Sequence, residues 1–152
     1  MPEVMTERAN KSSGRVAFQL EEQVAHLLRR AHQRASSLFI NQLSTHHLTP
    51  TQFFAMARLH EKGRLSQNLL GRETAMDPAT IQGVIQRLNE KGYIRRTPDP
   101  MDRRRMVLEL TESGQGVVQS LIEGAIQVND EVIAPLDDLE RNEFIRLLHK
   151  VT

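Results

Sequence analysis

A chain of 152 residues has room for one compact domain, or for one subunit of an intertwined dimer. It contains no cysteine, which excludes disulfides, a thiol-based redox switch and a Cys-ligated zinc. The formal net charge of +1 hides a division along the chain: residues 1–63 hold 8 basic and 5 acidic groups, residues 64–105 hold 9 and 5, and residues 106–152 hold 3 and 9.

In chain order, residues 1–15 are polar and lack the apolar core of a signal peptide, and a flexible tail is expected over 1–17. No run of about 18 apolar residues occurs to span a bilayer, so a soluble cytoplasmic protein with no membrane partner is expected. Leu20, Val24, Leu27, Leu28, Ala31, Ala35, Leu38 and Phe39 recur at three and four, predicting one long amphipathic helix from Leu20 to about Leu43. The next helix has a marked start: Thr49 at the cap, Pro50 first in the helix, Gln52 completing a capping box, and Leu48 with Phe53 placed as a hydrophobic staple. It ends near Lys62-Gly63, and a short helix follows with Ser66 as its cap. A fourth helix opens at Asp77-Pro78, buries Ile81, Val84, Ile85 and Leu88, and stops at Lys91-Gly92.

Two short strands are predicted over 93–97 and 106–110, the second alternating Met106, Leu108 and Leu110 on one face against Val107 and Glu109 on the other. The eight residues between them include two prolines, two aspartates and three arginines, the composition of a projecting loop. Thr111 caps a further long helix that ends before Pro135, and Asp137 with Glu140 opens the last. The predicted fold is mainly α with a small β-hairpin wing: a winged helix-turn-helix lobe over 48–110, and a helical region from 18–47 and 111–152, to which the family resemblance given below assigns dimerisation. Such a lobe holds one helix in a DNA major groove and a basic loop beside it.

The solvent face of the fourth helix supplies the candidate DNA-reading residues. Gln82 and Gln86 can pair with an adenine edge, Thr80 can contact phosphate or a thymine methyl, and Arg87 suits a phosphate or a guanine. Gly83 presents no side chain where the backbone could approach DNA closely. Ser66 and Pro78, at the starts of the two helices, complete the set. In the wing, Arg103, Arg104 and Arg105, joined by Arg95 and Arg96 at its base, form a positive finger whose self-repulsion phosphate would relieve. Asp102 is expected to pair with a neighbouring arginine and hold the loop. The six histidines are scattered, with no His-Glu-x-x-His pattern and no phosphate-cradling glycine loop, so neither an enzyme nor a cofactor is expected.

Leu48-Thr49-Pro50-Thr51-Gln52-Phe53, Met76-Asp77-Pro78-Ala79-Thr80-Ile81, Leu88-Asn89-Glu90-Lys91-Gly92-Tyr93-Ile94, Asp102-Arg103-Arg104 and Leu110-Thr111-Glu112-Ser113-Gly114 follow one another as ordered landmarks. Together they resemble the MarR family of bacterial transcription regulators over roughly residues 20–150. The resemblance implies a triangular homodimer with interlocked terminal helices, binding a palindromic operator in double-stranded DNA and released by a small-molecule effector. It implies that Arg104 enters the minor groove, where a narrow A·T-rich groove attracts a guanidinium. It also implies an effector pocket beside the first and second helices, with Phe39, Phe53, Phe54 and Met56 as apolar walls. Arg29, Arg30, His32, Arg34 and Ser36 stand near it to receive an anion such as an aromatic acid, a phenol or its coenzyme A thioester. Two other readings stand beside this one: an architectural DNA-binding or protein-binding module without a ligand, and a metal sensor built on His46 and His47.

Overall fold

The structure, a computed structural model, describes residues 17–152. The expected tail lies, but for Ala17, outside them. Helices α1 (Val24–Leu43), α2 (Pro50–Lys62), α3 (Gln67–Glu73) and α4 (Pro78–Glu90) lead into the antiparallel strands β1 (Ile94–Pro98) and β2 (Met106–Leu110), followed by α5 (Glu112–Val132) and α6 (Asp138–Val151). This is the mainly helical, winged helix-turn-helix arrangement that the sequence predicts.

Five of the six helices start on a side chain that accepts from a free backbone amide. Thr49 accepts from the Gln52 N–H while the Gln52 side chain takes the Thr49 N–H at 3.1 Å, and Asp137 and Glu140 form the same reciprocal pair at α6. Ser66, Asp77 and Thr111 cap α3, α4 and α5 singly. Gly63 and Gly92 take φ of +82° and +73°, the left-handed turns that end α2 and α4. Between α3 and α4 the turn passes through Ala75 at φ +53°, an uncommon backbone for alanine, and the Met76 N–H closes it on the Gly71 carbonyl at 2.9 Å.

Helix α1 begins at Val24 rather than Leu20. The side-chain amide of Gln23 donates to the Gln19 carbonyl, the acceptor that a continuous helix would offer to the Gln23 backbone N–H, and Leu20–Glu22 closes as a separate tight turn. The apolar period runs through this break, which is why periodicity alone predicts one helix.

The core lies where α2, α3, α4, the hairpin and the first half of α5 meet. Met56, Leu59, Leu70, Ile85, Leu88, Ile94, Leu108 and Val118 are withdrawn from water there. In contrast, α6 buries no residue, and Phe18, Val24, Leu139 and Val151 are each at least 70 % exposed. Apolar side chains on α1 and α6 are therefore left uncovered by the described residues of the single chain.

The hairpin differs from its predicted alternation. Val107, Leu108 and Glu109 are buried in succession, whereas Met106 is exposed. Leu65, in the loop before α3, exchanges two backbone hydrogen bonds with Leu108 at 3.2 and 2.8 Å and acts as a third, one-residue strand. Sequence signals for that pairing are absent, because one residue carries no period.

Gly114, in the first turn of α5, sits against the strand-leading residue Tyr93, and a Cβ there would overlap the Tyr93 carbonyl oxygen. Backbone cannot yield as a side chain can, so Gly114→Ala is expected to cost about 1–3 kcal/mol, read as a lower melting temperature. Gly116→Ala, two residues on with open space around its Cβ, is expected to hold or raise it.

Candidate nucleic-acid interface

Helix α4 has one buried and one free face. Ile81, Val84, Ile85 and Leu88 pack into the core, and Thr80, Gln82, Gln86 and Arg87 stand in solvent with Pro78 at the helix start. Asp77 organises that start. Its carboxylate accepts from the Thr80 N–H at 2.8 Å and from the Thr80 hydroxyl at 2.9 Å, and these two bonds hold it below the usual carboxylate range. The hydroxyl proton of Thr80 is thus already given to Asp77, leaving its methyl group and an acceptor lone pair free. Gln86 donates to Glu90 at 3.0 Å, which orients its amide along the helix and leaves the carbonyl oxygen and the second N–H outward. Gln82 and Arg87 make no side-chain hydrogen bond among the described residues. Gly83 has nothing within 4 Å of where a Cβ would stand, so no part of the chain requires a glycine there.

The wing tip is ordered by two short polar turns. Asp99 accepts from the Met101 N–H at 2.9 Å and Asp102 from the Arg104 N–H at 3.1 Å, while the Asp99 N–H and Arg105 carbonyl close the loop at 2.8 Å. As expected, Asp102 also approaches arginine: the Nε atoms of Arg104 and Arg105 stand 3.7 and 3.6 Å from its oxygens. The Arg104 side chain is 96 % exposed, so this contact barely restrains it. Arg103 forms no ion pair among the described residues.

The base of the wing corrects the expected finger of five arginines. Arg95 donates to Glu109 at 2.8 Å, Arg64 donates to the other oxygen of the same carboxylate at 2.6 Å, and Arg96 donates to Gln67 at 2.9 Å. Arg95 is thus charge-paired and Arg96 held by an amide, whereas the guanidiniums of Arg103, Arg104 and Arg105 project at the tip with only the long Asp102 contacts. Glu109 is nearly buried, and hydrogen bonds from Arg64 and then Arg95 hold its carboxyl below the ordinary value. Reasoning from sequence missed this clamp, since Arg64 lies 45 residues away and β2 alternation assigns Glu109 to an open face.

Ser66 spends its hydroxyl on the Leu69 N–H and lies with Gln67, Asn68, Arg105 and Met106 around a polar hollow between α3 and the wing. The candidate ligand residues part company. Phe39 and Phe53 face a cleft of about 360 Å³ with Ile122, Ala125, His60, Asn129 and Glu61, the last with its carboxylate paired to Arg58 at 2.9 Å. Their ring centroids are 6.1 Å apart, and Phe54 meets Phe39 edge-on but opens toward a different hollow. Met56 is fully buried in the core beneath and does not line the cleft. His32 and Ser36 meet at 3.4 Å along α1, Arg34 donates to the Glu131 carbonyl at the end of α5, and Arg29 and Arg30 project into solvent. His46 turns toward Ser120, and among the described residues no three His, Asp or Glu side chains gather to hold a metal. No described helix is long and apolar enough to cross a membrane.

Comparison with known proteins meets this geometry. The MarR family model matches residues 48–106, from the start of α2 to the first residue of β2. The chain is 38 % identical over 134 residues to the HTH-type transcriptional repressor NicR of Pseudomonas putida, covering 88 % of this chain and 85 % of that protein. The chain belongs to the MarR family. As a MarR-family protein it is a DNA-binding transcription regulator and not an enzyme. Solved structures of the family superpose closely. Bordetella bronchiseptica BpsR, described for the regulation of its DNA binding by 6-hydroxynicotinic acid, gives a TM-score of 0.83 at 34 % identity, over 89 % of this chain and 96 % of that one. Streptomyces coelicolor PcaV in complex with its natural ligand gives 0.80 at 30 % identity, over 89 % and 95 %.

The Glu109 clamp has a definite pH signature. Because the folded carboxyl lies below its ordinary value of 4.5, the stability it contributes is present above that pH and is lost as pH falls through the folded value. Chemical denaturation of wild type and Glu109→Gln is expected to differ by about 1 kcal/mol at pH 7, the guanidiniums being half in water, and the gap is expected to narrow progressively as pH falls below 4.5. A gap that did not narrow at all on acidification would remove the ion pairs as its cause.

Proposed function

We propose that this chain is a cytoplasmic repressor that acts as a homodimer on a pseudo-palindromic operator and is released by a small aromatic acid. The observation that carries the reading is the pairing of one polar, solvent-facing side of α4 with a wing tip whose three arginines are exposed. Thr80, Gln82, Gln86 and Arg87 would address base edges and phosphates in the major groove, and Arg103 and Arg105 the backbone. Arg104, whose side chain is more exposed than that of Arg105, would enter the minor groove. Ser66 and Pro78 border the same surface.

Support for a dimer comes from the uncovered apolar faces of α1 and α6, which a second copy would bury, setting two α4 helices about one DNA turn apart. Support for an aromatic acid comes from the Phe39–Phe53 cleft and from BpsR, a relative whose DNA binding 6-hydroxynicotinic acid regulates. NicR, named a repressor, supports the sign. His32, Ser36 and Arg29 stand on α1, the helix that supplies Phe39, but do not line the cleft of the single chain, so their contact with the acid would need a rearrangement or α1 of a second copy. Release needs only that the acid favour one lobe spacing: a differential of about 1–3 kcal/mol already gives roughly 5 to 150-fold.

The test is fluorescence anisotropy on the DNA upstream of the protein's own gene, with random DNA as competitor and 6-hydroxynicotinate or 4-hydroxybenzoate added. Specific binding reversed by one of these acids is expected, and equal affinity for random DNA would overturn the reading. Arg104→Ala is expected to weaken operator binding about tenfold or more with the melting temperature unchanged, at 1–3 kcal/mol per specific contact, on the order of magnitude usual for such side chains. Gly83→Ala separates folding from recognition. It is expected to raise stability by up to about 1 kcal/mol, the helix-propensity gain, while lowering operator affinity, whereas a variant that gained both would show that DNA does not approach Gly83.

A further inference from the structure

The aromatic cleft holds a polar group that the sequence did not single out. His60, in the last turn of α2, lines it beside Phe39 and Phe53. The ring Nδ1 stands 2.7 Å from Nε2 of Gln115, in the first turn of α5. With the Gln115 amide nitrogen as donor, Nδ1 accepts and the ring carries its proton on Nε2, the tautomer on which the donor role proposed below rests. That Nε2–H has no protein partner among the described residues. A neutral N–H on the wall of a cleft with aromatic sides suits the carboxylate of a planar acid, with which it makes a charge-assisted bond.

Gln115 is also placed to report on the cleft. Its own N–H bonds to the Thr111 carbonyl at 2.8 Å, and Thr111 follows β2 without an intervening loop and bonds through its hydroxyl to the Gly92 carbonyl at the end of α4. The His60–Gln115 bond therefore joins α2 to the short segment from which both the wing and α4 hang.

Resting on the effector reading above, we propose that His60 is the specificity-determining donor for the carboxylate of an aromatic acid, and that its bond to Gln115 transmits occupancy of the cleft to the wing. A carboxylate that draws Nε2 toward itself swings Nδ1 away from Gln115 and frees the first turn of α5 to move with β2. The bond thus has two arrangements, one favoured by the acid and the other by the empty cleft.

Titration calorimetry with 6-hydroxynicotinate, run beside operator anisotropy, tests this on the full chain. His60→Leu is expected to bind the acid at least tenfold more weakly. Gln115→Leu is expected to bind it within about threefold of wild type while losing most of the acid's effect on operator affinity. In the wild type, nitrogen NMR of the imidazole is expected to show the Nε2-protonated tautomer and a shift when the acid is added, a readout that needs no variant to fold. Binding of the acid unchanged in His60→Leu, or an Nδ1-protonated ring, would overturn the donor role. Full release in Gln115→Leu would overturn the relay. A wild type that binds operator but no aromatic acid would overturn the effector reading itself, a result distinct from either.

Discussion

Strand β2 is five residues long, and three consecutive ones are removed from water on both faces and along one edge. Leu108 enters the core, its backbone is paired with Leu65, and the Glu109 carboxylate on the opposite face is held by two guanidiniums from different parts of the chain. A two-stranded hairpin is marginal in water by itself. The wing can keep a fixed direction because β2 is fastened to the core, to the loop before α3 and to its own partner strand at once. The position of the arginine tip relative to α4 depends on that fastening, and the direction of α5 does too, since Thr111, the residue after β2, caps α5.

The charge of the lobe is sorted by the same contacts. Five arginines crowd into residues 95–105, yet two of them are engaged at the base, one with a carboxylate and one with an amide, and the tip guanidiniums make only long, exposed contacts. Mobile positive charge at one projecting point would attract phosphate more strongly there than the tethered guanidiniums at the base. Asp102 lies at that point, but its ion contacts are long and exposed, so it shapes the turn through the Arg104 backbone more than it neutralises the side chains.

The two ends of the chain obey a different constraint. The lobe around Met56 and Leu88 has a closed core, whereas the outer half of α1 and all of α6 present apolar side chains to solvent. The cleft between Phe39, Phe53 and α5 lies at the boundary between these regions. A molecule bound there touches elements from both, which is the geometric requirement for a small ligand to alter the placement of the lobe.

Helix starts and stops were legible in the sequence, because a cap is a local bargain: Thr49, Ser66, Asp77, Thr111 and Asp137 satisfy amides three residues away, and Gly63 and Gly92 supply a backbone that other residues resist. The buried face of α4 and the existence of a basic wing followed from period and composition for the same reason. Only the tertiary structure decided that Arg95 belongs to Glu109 and Arg96 to Gln67, that Met56 lies beneath the cleft and not in it, that Gln23 interrupts the first helix, and that His60 meets Gln115 from 55 residues away. Partners at long range leave no fixed spacing in the chain, and a charge or an aromatic ring reads the same in sequence whether the fold engages it or leaves it free. The sequence by itself thus determined the elements and the kind of surface they carry, and packing decided which groups on that surface remain available to a ligand or to DNA.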